Sequence, residues 1–260
     1  MPFSDYEGFK KSIFQMTSID LNAYKEKQMR RRIDTLINKH GYNGYDEYIK
    51  ILKSDKKLFE EFVSYLTINV SEFYRNPEQW KVLDTVVIPS LVQRFGKNLK
   101  IWSAACSTGD EPYSLVMALS NHIPLNQIKI VATDIDKHVL EKARVGLYSE
   151  KSIEAVPKHF KDKYFNKIGA SYQIRDEIKE RVEFKQHNLL KDIYDKNIDL
   201  LVCRNVLIYF TEEAKDEIFK KFSESIKPGG YLFIGSTEQI ISYRDIKFNR
   251  ANSFFYEKDK

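Results

Sequence analysis

Cysteine is nearly missing from this chain: its 260 residues contain two, Cys106 and Cys203, with no Cys-x-x-Cys spacing. That excludes a disulfide scaffold and a cysteine-based zinc site. The five histidines (40, 122, 138, 159 and 187) form no His-Glu-x-x-His pattern and no close pair, so no metal centre is expected. With 10 glycines and 7 prolines, collagen and low-complexity linkers are excluded too. Apolar runs such as Val206–Phe210 fall far short of the ~20 residues a membrane helix needs. Met1–Glu7 has neither the basic nor the apolar stretch of a secretory leader. The expectation is a cytoplasmic, metal-free monomer with no membrane insertion.

What is present is a globular composition, 42% hydrophobic and 30% charged, long enough for one large core and a smaller one. The net charge of +5 is mild, but it is unevenly placed. Leu21–His40 holds six basic residues and two acidic ones, so this segment alone carries +4. Met29, Ile33, Leu36 and Ile37 mark the buried face of a helix there. At 100° per residue Lys27 and Arg31 fall opposite, with Arg30 on the flank. An anionic partner would meet this face.

The first ~75 residues read as helices, with no strand signal. Ser4-x-x-Glu7 has capping-box spacing, and further helices fit Tyr45–Leu52 and Leu58–Leu66. After Pro77, at a helix N1 position, a helix runs through Trp80, Leu83 and Val87 toward Pro89. Strands then alternate with helices. Strands are expected at Leu99–Ser103, Ile128–Thr133, Ile198–Cys203 and Tyr231–Gly235, and helices at Pro112–Ser120, Lys137–Val145 and Glu212–Ser225. Pro228–Gly230 reads as a turn, and Ser253–Tyr256 as a last, antiparallel strand at the end of the sheet. Such alternation predicts a parallel, doubly wound α/β sheet. Residues 152–183 break the rhythm with a short helix and two β-runs, Tyr164–Ile168 and Ser171–Ile174, flanking Gly169-Ala170. They read as a hairpin-bearing insertion. The domains expected are therefore 1–75, helical, and 76–260, α/β.

Ligands of doubly wound sheets bind at the carboxyl ends of strands. Three stretches fall there: Ser103–Glu111 with its small residues and Gly109, Asp134, and Cys203–Val206. Asp134 follows Gly109 at the spacing of an acid that grips a ribose diol, although a tight turn with a strand-terminal Asp is an equally fair reading. No Gly-x-Gly-x-x-Gly is present, and Glu111 at the next helix start would repel a pyrophosphate. A nucleoside with a cationic arm suits the site better than NAD, and S-adenosylmethionine is such a molecule. Asp136 reads as the cap of the following helix, and Cys106 and Cys203 as small buried thiols.

Five motifs occur in order: Thr67–Arg75 (TINVSEFYR), Trp102–Ser114 (WSAACSTGDEPYS), Ala132–Asp136 (ATDID), Asn188–Leu190 (NLL) and Cys203–Phe210 (CRNVLIYF). Together they resemble the CheR-type glutamate O-methyltransferases of bacterial chemotaxis, over essentially the whole chain. The resemblance implies a Rossmann-like class I SAM-dependent methyltransferase sheet, a small all-helical N-terminal domain and a small antiparallel β-hairpin insertion. It implies S-adenosyl-L-methionine as donor, S-adenosyl-L-homocysteine as product, and glutamates on the cytoplasmic helices of methyl-accepting chemotaxis receptors as acceptors, esterified for adaptation.

By the same resemblance Asn69, Ser71 and Arg75 face the cofactor, Glu111 holds its amino-acid end and Asp134 its ribose. Asn188 and Leu189 frame the adenine, Arg204 and Asn205 line the pocket, and Arg75 and Tyr209 stand beside the transferred methyl. Lys27, Arg30 and Arg31 become receptor-docking residues, facing Glu-rich methylation helices. Many relatives have a longer, glycine-rich hairpin tip that binds a receptor tail as an added strand. The tip here, Lys167–Ser171, is short, which argues against tail tethering.

Two other functions compete. A nucleic-acid methyltransferase would suit the basic helix, but the Asn/Asp-Pro-Pro-Tyr/Phe turn of amino-methylating enzymes is replaced by Arg204-Asn-Val-Leu207, and no base-stacking platform is evident. A cofactor-binding module without turnover is the second, and intact Arg75, Asp134 and Tyr209 count against it.

Overall fold

A computed structural model describes residues 5–259, and the expected cap residue Ser4 lies outside them. The chain forms two compact units. One runs to Asn69 and takes in Leu207–Asp216; the other comprises Val70–Val206 and Glu217–Lys260.

The first unit contains α1 (Tyr6–Thr17), α2 (Glu26–Lys39), α3 (Tyr45–Ser54) and α4 (Lys56–Leu66). Two of them begin on a side-chain cap. Asp5 caps α1 by accepting from Gly8 N, and Asp55 caps α4 through Leu58 N. Phe9, Tyr45, Tyr48 and Phe62 meet in an aromatic core, and Met29, Ile33, Leu36 and Ile37 of α2 are all buried as their spacing requires. The returning segment is tied in by an isolated bridge between Tyr24 and Phe210, whose rings stack 4.6 Å apart.

The second unit opens with α5 (Pro77–Val82), which passes through a π-helical turn, Leu83–Val87, into α6 (Ile88–Phe95). Pro89 thus does not stop the helix. The wider turn, in which Ile88 N bonds Leu83 O, accommodates the proline just after it, which cannot donate a backbone hydrogen bond. Then follow β1 (Ile101–Ala104), α7 (Asp110–Leu119), β2 (Ile130–Asp134), α8 (Lys137–Val145), β3 (Leu147–Ser149), α9 (Lys158–Tyr164), β4 (Phe165–Ile168), β5 (Ser171–Ile174), α10 (Asp176–Lys179), β6 (Val182–Gln186), β7 (Ile198–Cys203), α11 (Glu212–Ser225, of which Glu212–Asp216 belongs to the first unit), β8 (Ile226–Ile234), β9 (Phe248–Asn252) and β10 (Phe255–Lys258).

Seven strands form one sheet in the order β6-β2-β1-β7-β8-β10-β9. The first five are parallel, and β10 runs antiparallel to both β8 and β9. The last strand is therefore antiparallel, as its sequence predicts, but it lies inside β9 rather than at the edge. Pro228–Gly230 is not a turn: β8 runs through it with an irregular register against β7. Gly230 allows this, because a Cβ there would lie 2.9 Å from Asp199 O.

The insertion is a separate sheet of order β3-β5-β4, so it recruits Leu147–Ser149 from ahead of residue 152. Its tip is a two-residue turn, Gly169-Ala170, with Gly169 at φ +60° as such hairpins require. Below both, the core gathers β1, β2, β7 and β8 side chains with Tyr113, Tyr148, Phe160 and Tyr164. No helix among the described residues is long and apolar enough to cross a membrane.

Candidate functional site

The strand order reverses between β1 and β7, and the loops leaving these two strands bound a small cleft. Its walls include Ser71, Arg75, Ser107, Glu111, Arg204 and Asn205. Five of the residues assigned by family resemblance, from three distant stretches of sequence, are thus brought together.

The backbone around the cleft is bent to bring them there. Ala105, Ser107 and Asn205 all sit at φ between 50° and 60°, the left-handed region that non-glycine residues seldom occupy. Asp134, at the end of β2, stabilises one of these bends: its carboxylate accepts from Ser107 N at 2.8 Å and from Asp136 N at 3.0 Å. Burial pushes its carboxyl up to about 6, against the lowering pull of those N–H groups. Asp136 caps α8 through His138 N, the role its position suggests. Gly109 has a duty besides the one its sequence suggests. A Cβ there would come within 2.9 Å of Ala143 Cβ, so the residue also permits close packing of α7 against α8.

Glu111 stands in the first turn of α7, where it accepts from Ser103 Oγ at 2.9 Å and faces Arg204 at 3.5 Å. Burial raises its carboxyl, and the Arg204 charge opposes that rise. Arg204 itself is buried and stacks over Phe233 at 4.6 Å. Its Nη2 donates to Arg75 O at 2.7 Å, Gln79 Oε1 at 2.8 Å and Asn76 Oδ1 at 3.2 Å. Arg204 is therefore the brace that joins the end of β7 to the 75–79 segment. Arg75 is held from behind by the same contacts, since its carbonyl also accepts from Trp80 Nε1. Its side chain stays 35% exposed, with the guanidinium 3.9 Å from Glu72. The Ser71 hydroxyl bonds Asp110, a buried acid whose carboxyl is raised by desolvation.

Asn188 and Leu189 do not line this cleft. They lie in the loop after β6, where His187 N bonds Asp134 O and the Asn188 side chain accepts from Leu190 N. The buried Leu189 offers its carbonyl to Tyr194 Oη. Asn69 and Tyr209 belong to the first unit. The Asn69 amide donates to Thr67 Oγ1 and Ser64 O at the end of α4. The Tyr209 carbonyl accepts from Lys25 N, and the residue shares a small hollow with Met29 and Arg32.

On α2, Lys27 and Arg31 are exposed, whereas Arg30 is half-buried, packed 5.1 Å over the Tyr6 ring and bonded to Tyr45. Cys106 and Cys203 are buried, and desolvation pushes both thiols up, as inert core residues require. Among the described residues no group of three or more His, Cys, Asp or Glu side chains is placed to hold a metal ion.

Sequence reasoning missed Gln79 and Glu238. Gln79 carries no signal, being a helix glutamine. Glu238 had one: an acid closely following the last parallel strand, in a loop where a buried carboxylate has backbone N–H groups to meet.

Residues 69–254 match the family described as CheR methyltransferase, SAM binding domain, and residues 4–67 match CheR methyltransferase, all-alpha domain. A chemotaxis protein methyltransferase of Listeria innocua is 42% identical over 254 residues, covering 98% of this chain and 97% of that protein. Chemotaxis protein methyltransferase 2 of Vibrio cholerae is 34% identical over 272 residues, 99% and 94% of the two chains. The counterpart in Borreliella burgdorferi is 32% identical over 251 residues, 92% and 89%. A doubly wound sheet with its cleft at the strand-order switch, an all-helical unit and these matches agree: the chain belongs to the CheR methyltransferase family, with a SAM-binding domain and an all-alpha domain.

Proposed function

We propose that this chain is a cytoplasmic enzyme that transfers the methyl group of S-adenosylmethionine to glutamate side chains of chemotaxis receptors, forming glutamate 5-O-methyl esters. The observation that carries the reading is the cleft at the ends of β1 and β7, walled by Glu111, Arg204, Asn205 and Arg75. The names of the relatives, chemotaxis protein methyltransferases, support the receptor as acceptor.

The residues present fit the donor. Ser107 Oγ is buried beside the cleft without a hydrogen-bond partner, a polar atom that a bound nucleoside would satisfy. Asp134 accepts from the Ser107 N–H, Glu111 lines the cleft, and Asp110 and Glu238 are further buried carboxylates of the same unit. That environment favours a cationic group and disfavours a pyrophosphate. When bound, S-adenosylmethionine supplies a methyl group on a positively charged sulfur. Glu111 would hold the amino end of the donor and Asp134 its ribose. Asn188 and Leu189 would border the adenine. The assignments of Asn69, Asn188, Leu189 and Tyr209 rest on the family pattern alone.

A glutamate side chain, with an ordinary pKa of about 4.3, is ionised at neutral pH and needs no base to become a nucleophile. The protein's work is then alignment and exclusion of water. Arg75, anchored through its carbonyl and partly exposed in its side chain, is suited to orient that carboxylate. Tight pairing would blunt the nucleophile, so positioning is its role rather than neutralisation. Lys27 and Arg31, exposed on α2, would dock the acidic receptor helix, with Arg30 lending charge from its fixed place on Tyr6.

The test is incubation with methyl-labelled S-adenosylmethionine and a receptor cytoplasmic fragment. Label should enter the receptor and be suppressed by added S-adenosylhomocysteine. Cofactor binding without any transfer would instead favour a silent module.

A further inference from the structure

The parallel ladder between β7 and β8 ends with Cys203 opposite Ile234. Beyond it, the N–H groups of Asn205 and Gly235 have no ladder partner in the sheet. One oxygen serves both: Glu238 Oε2 lies 3.0 Å from Asn205 N and 2.7 Å from Gly235 N. Glu238 is only 4% exposed. Gly235 is required for the fit, because a Cβ there would lie 2.7 Å from Asn205 N and 2.8 Å from Glu238 Oε2. Asn205 is held at φ 60° in this arrangement.

We propose that Glu238 is a positioning residue for methyl transfer, fixing the Arg204–Asn205 turn in the form that walls the cleft. This role rests on the methyl-transfer function and adds to it a residue that never touches the reactants. Both bonds run to a buried carboxylate, the stronger class of acceptor, the one to Gly235 fully buried and the one to Asn205 partly so. Without them two N–H groups lose their partner, and the turn can leave the left-handed conformation. Arg204 would leave with it, and so would the brace on Arg75, Asn76 and Gln79 and the charge facing Glu111. Glu238 thus governs the cleft wall through the backbone of its neighbours.

The experiment compares Glu238→Ala, Glu238→Asp and Glu238→Gln with the unaltered protein. The readouts are S-adenosylhomocysteine affinity by calorimetry, kcat and KM for a receptor fragment, and Tm. Alanine removes the acceptor, and aspartate is one methylene too short to reach both N–H groups. Glutamine keeps an oxygen able to accept from both. The first two should lose about tenfold or more in cofactor affinity or kcat with receptor KM little changed, and glutamine should recover most of that loss. If Glu238→Ala does not fold, Glu238→Asp carries the same comparison. A folded Ala or Asp variant with unaltered affinity and kcat overturns the proposal, even if its Tm falls. Glutamine as damaging as aspartate also overturns it. If the unaltered protein neither binds S-adenosylhomocysteine nor transfers methyl, the functional reading fails, and the role of Glu238 with it.

Discussion

Arg75 has its backbone fixed and its side chain partly exposed beside Glu72. Two donors, Arg204 Nη2 and Trp80 Nε1, converge on its carbonyl, so replacing the side chain need not disturb the segment. Arg75→Ala should therefore lower kcat by about 100-fold, the scale of losing one pre-oriented electrostatic contact, and change S-adenosylhomocysteine affinity far less. Equal losses of both would exclude Arg75 as the residue that orients the acceptor. Asp134 makes a prediction in pH. Its carboxyl, pushed up to about 6 by burial, binds a proton more tightly folded than unfolded. Its contribution to stability is thus complete below pH ~4 and is lost as pH rises through about 6. A ribose diol needs the ionised, accepting form, so cofactor affinity should move the other way and weaken as pH falls from about 7.5 to about 5. Calorimetric titrations giving the same affinity at both pH values would contradict the ribose assignment. Among single residues the sequence is a partial guide. Glu111, Arg204 and Asn205 are legible from their places after β1 and β7, whereas Glu238 and Gln79 act only through contacts that depend on chain crossings.

Helix α2 separates two uses of positive charge. Lys27 and Arg31 are solvated, while Arg30 and Arg32 lie over the rings of Tyr6 and Tyr65. Reversing the first pair, Lys27→Glu with Arg31→Glu, should raise receptor KM about tenfold at low salt and leave Tm within a degree or two. The same variant with unaltered KM would move docking elsewhere. Arg30→Ala should instead cost stability, about 1 kcal/mol for the lost ring contact, read from urea unfolding. Helical periodicity could place Arg30 on the flank but could not show the Tyr6 ring beneath it, which comes from α1. The hairpin is the second informative element. Its two-residue tip leaves little strand to add to, so removing a receptor's terminal tail should leave KM unchanged within about twofold, by the same methyl-transfer assay. A large rise in KM would show that the short β4–β5 edge binds a tail after all. Most elements are legible from periodicity alone. β9 and β3 are not: β9 has one buried apolar residue at its start and four exposed ones, and β3 is only three residues long.

The whole molecule is a family architecture whose logic is largely written in the order of its elements. Alternating strands and helices dictate parallel pairing, and parallel pairing with a reversal between β1 and β7 dictates where a ligand can enter. Antiparallel β10 could be anticipated, but its place inside β9 depends on a late strand, Phe248–Asn252, with one buried residue in five. The return of Leu207–Asp216 to the helical unit is invisible in sequence, because Val206–Phe210 reads equally as strand core.

What sets the proposed chemistry apart is the bond made, a carboxyl methyl ester rather than an N-methyl group, and base lability reads it directly. Receptor fragment labelled from methyl-labelled S-adenosylmethionine by this protein is treated with mild alkali, and volatile label is collected. Carboxyl esterification predicts release as methanol; label that remains on the protein through alkali would contradict it.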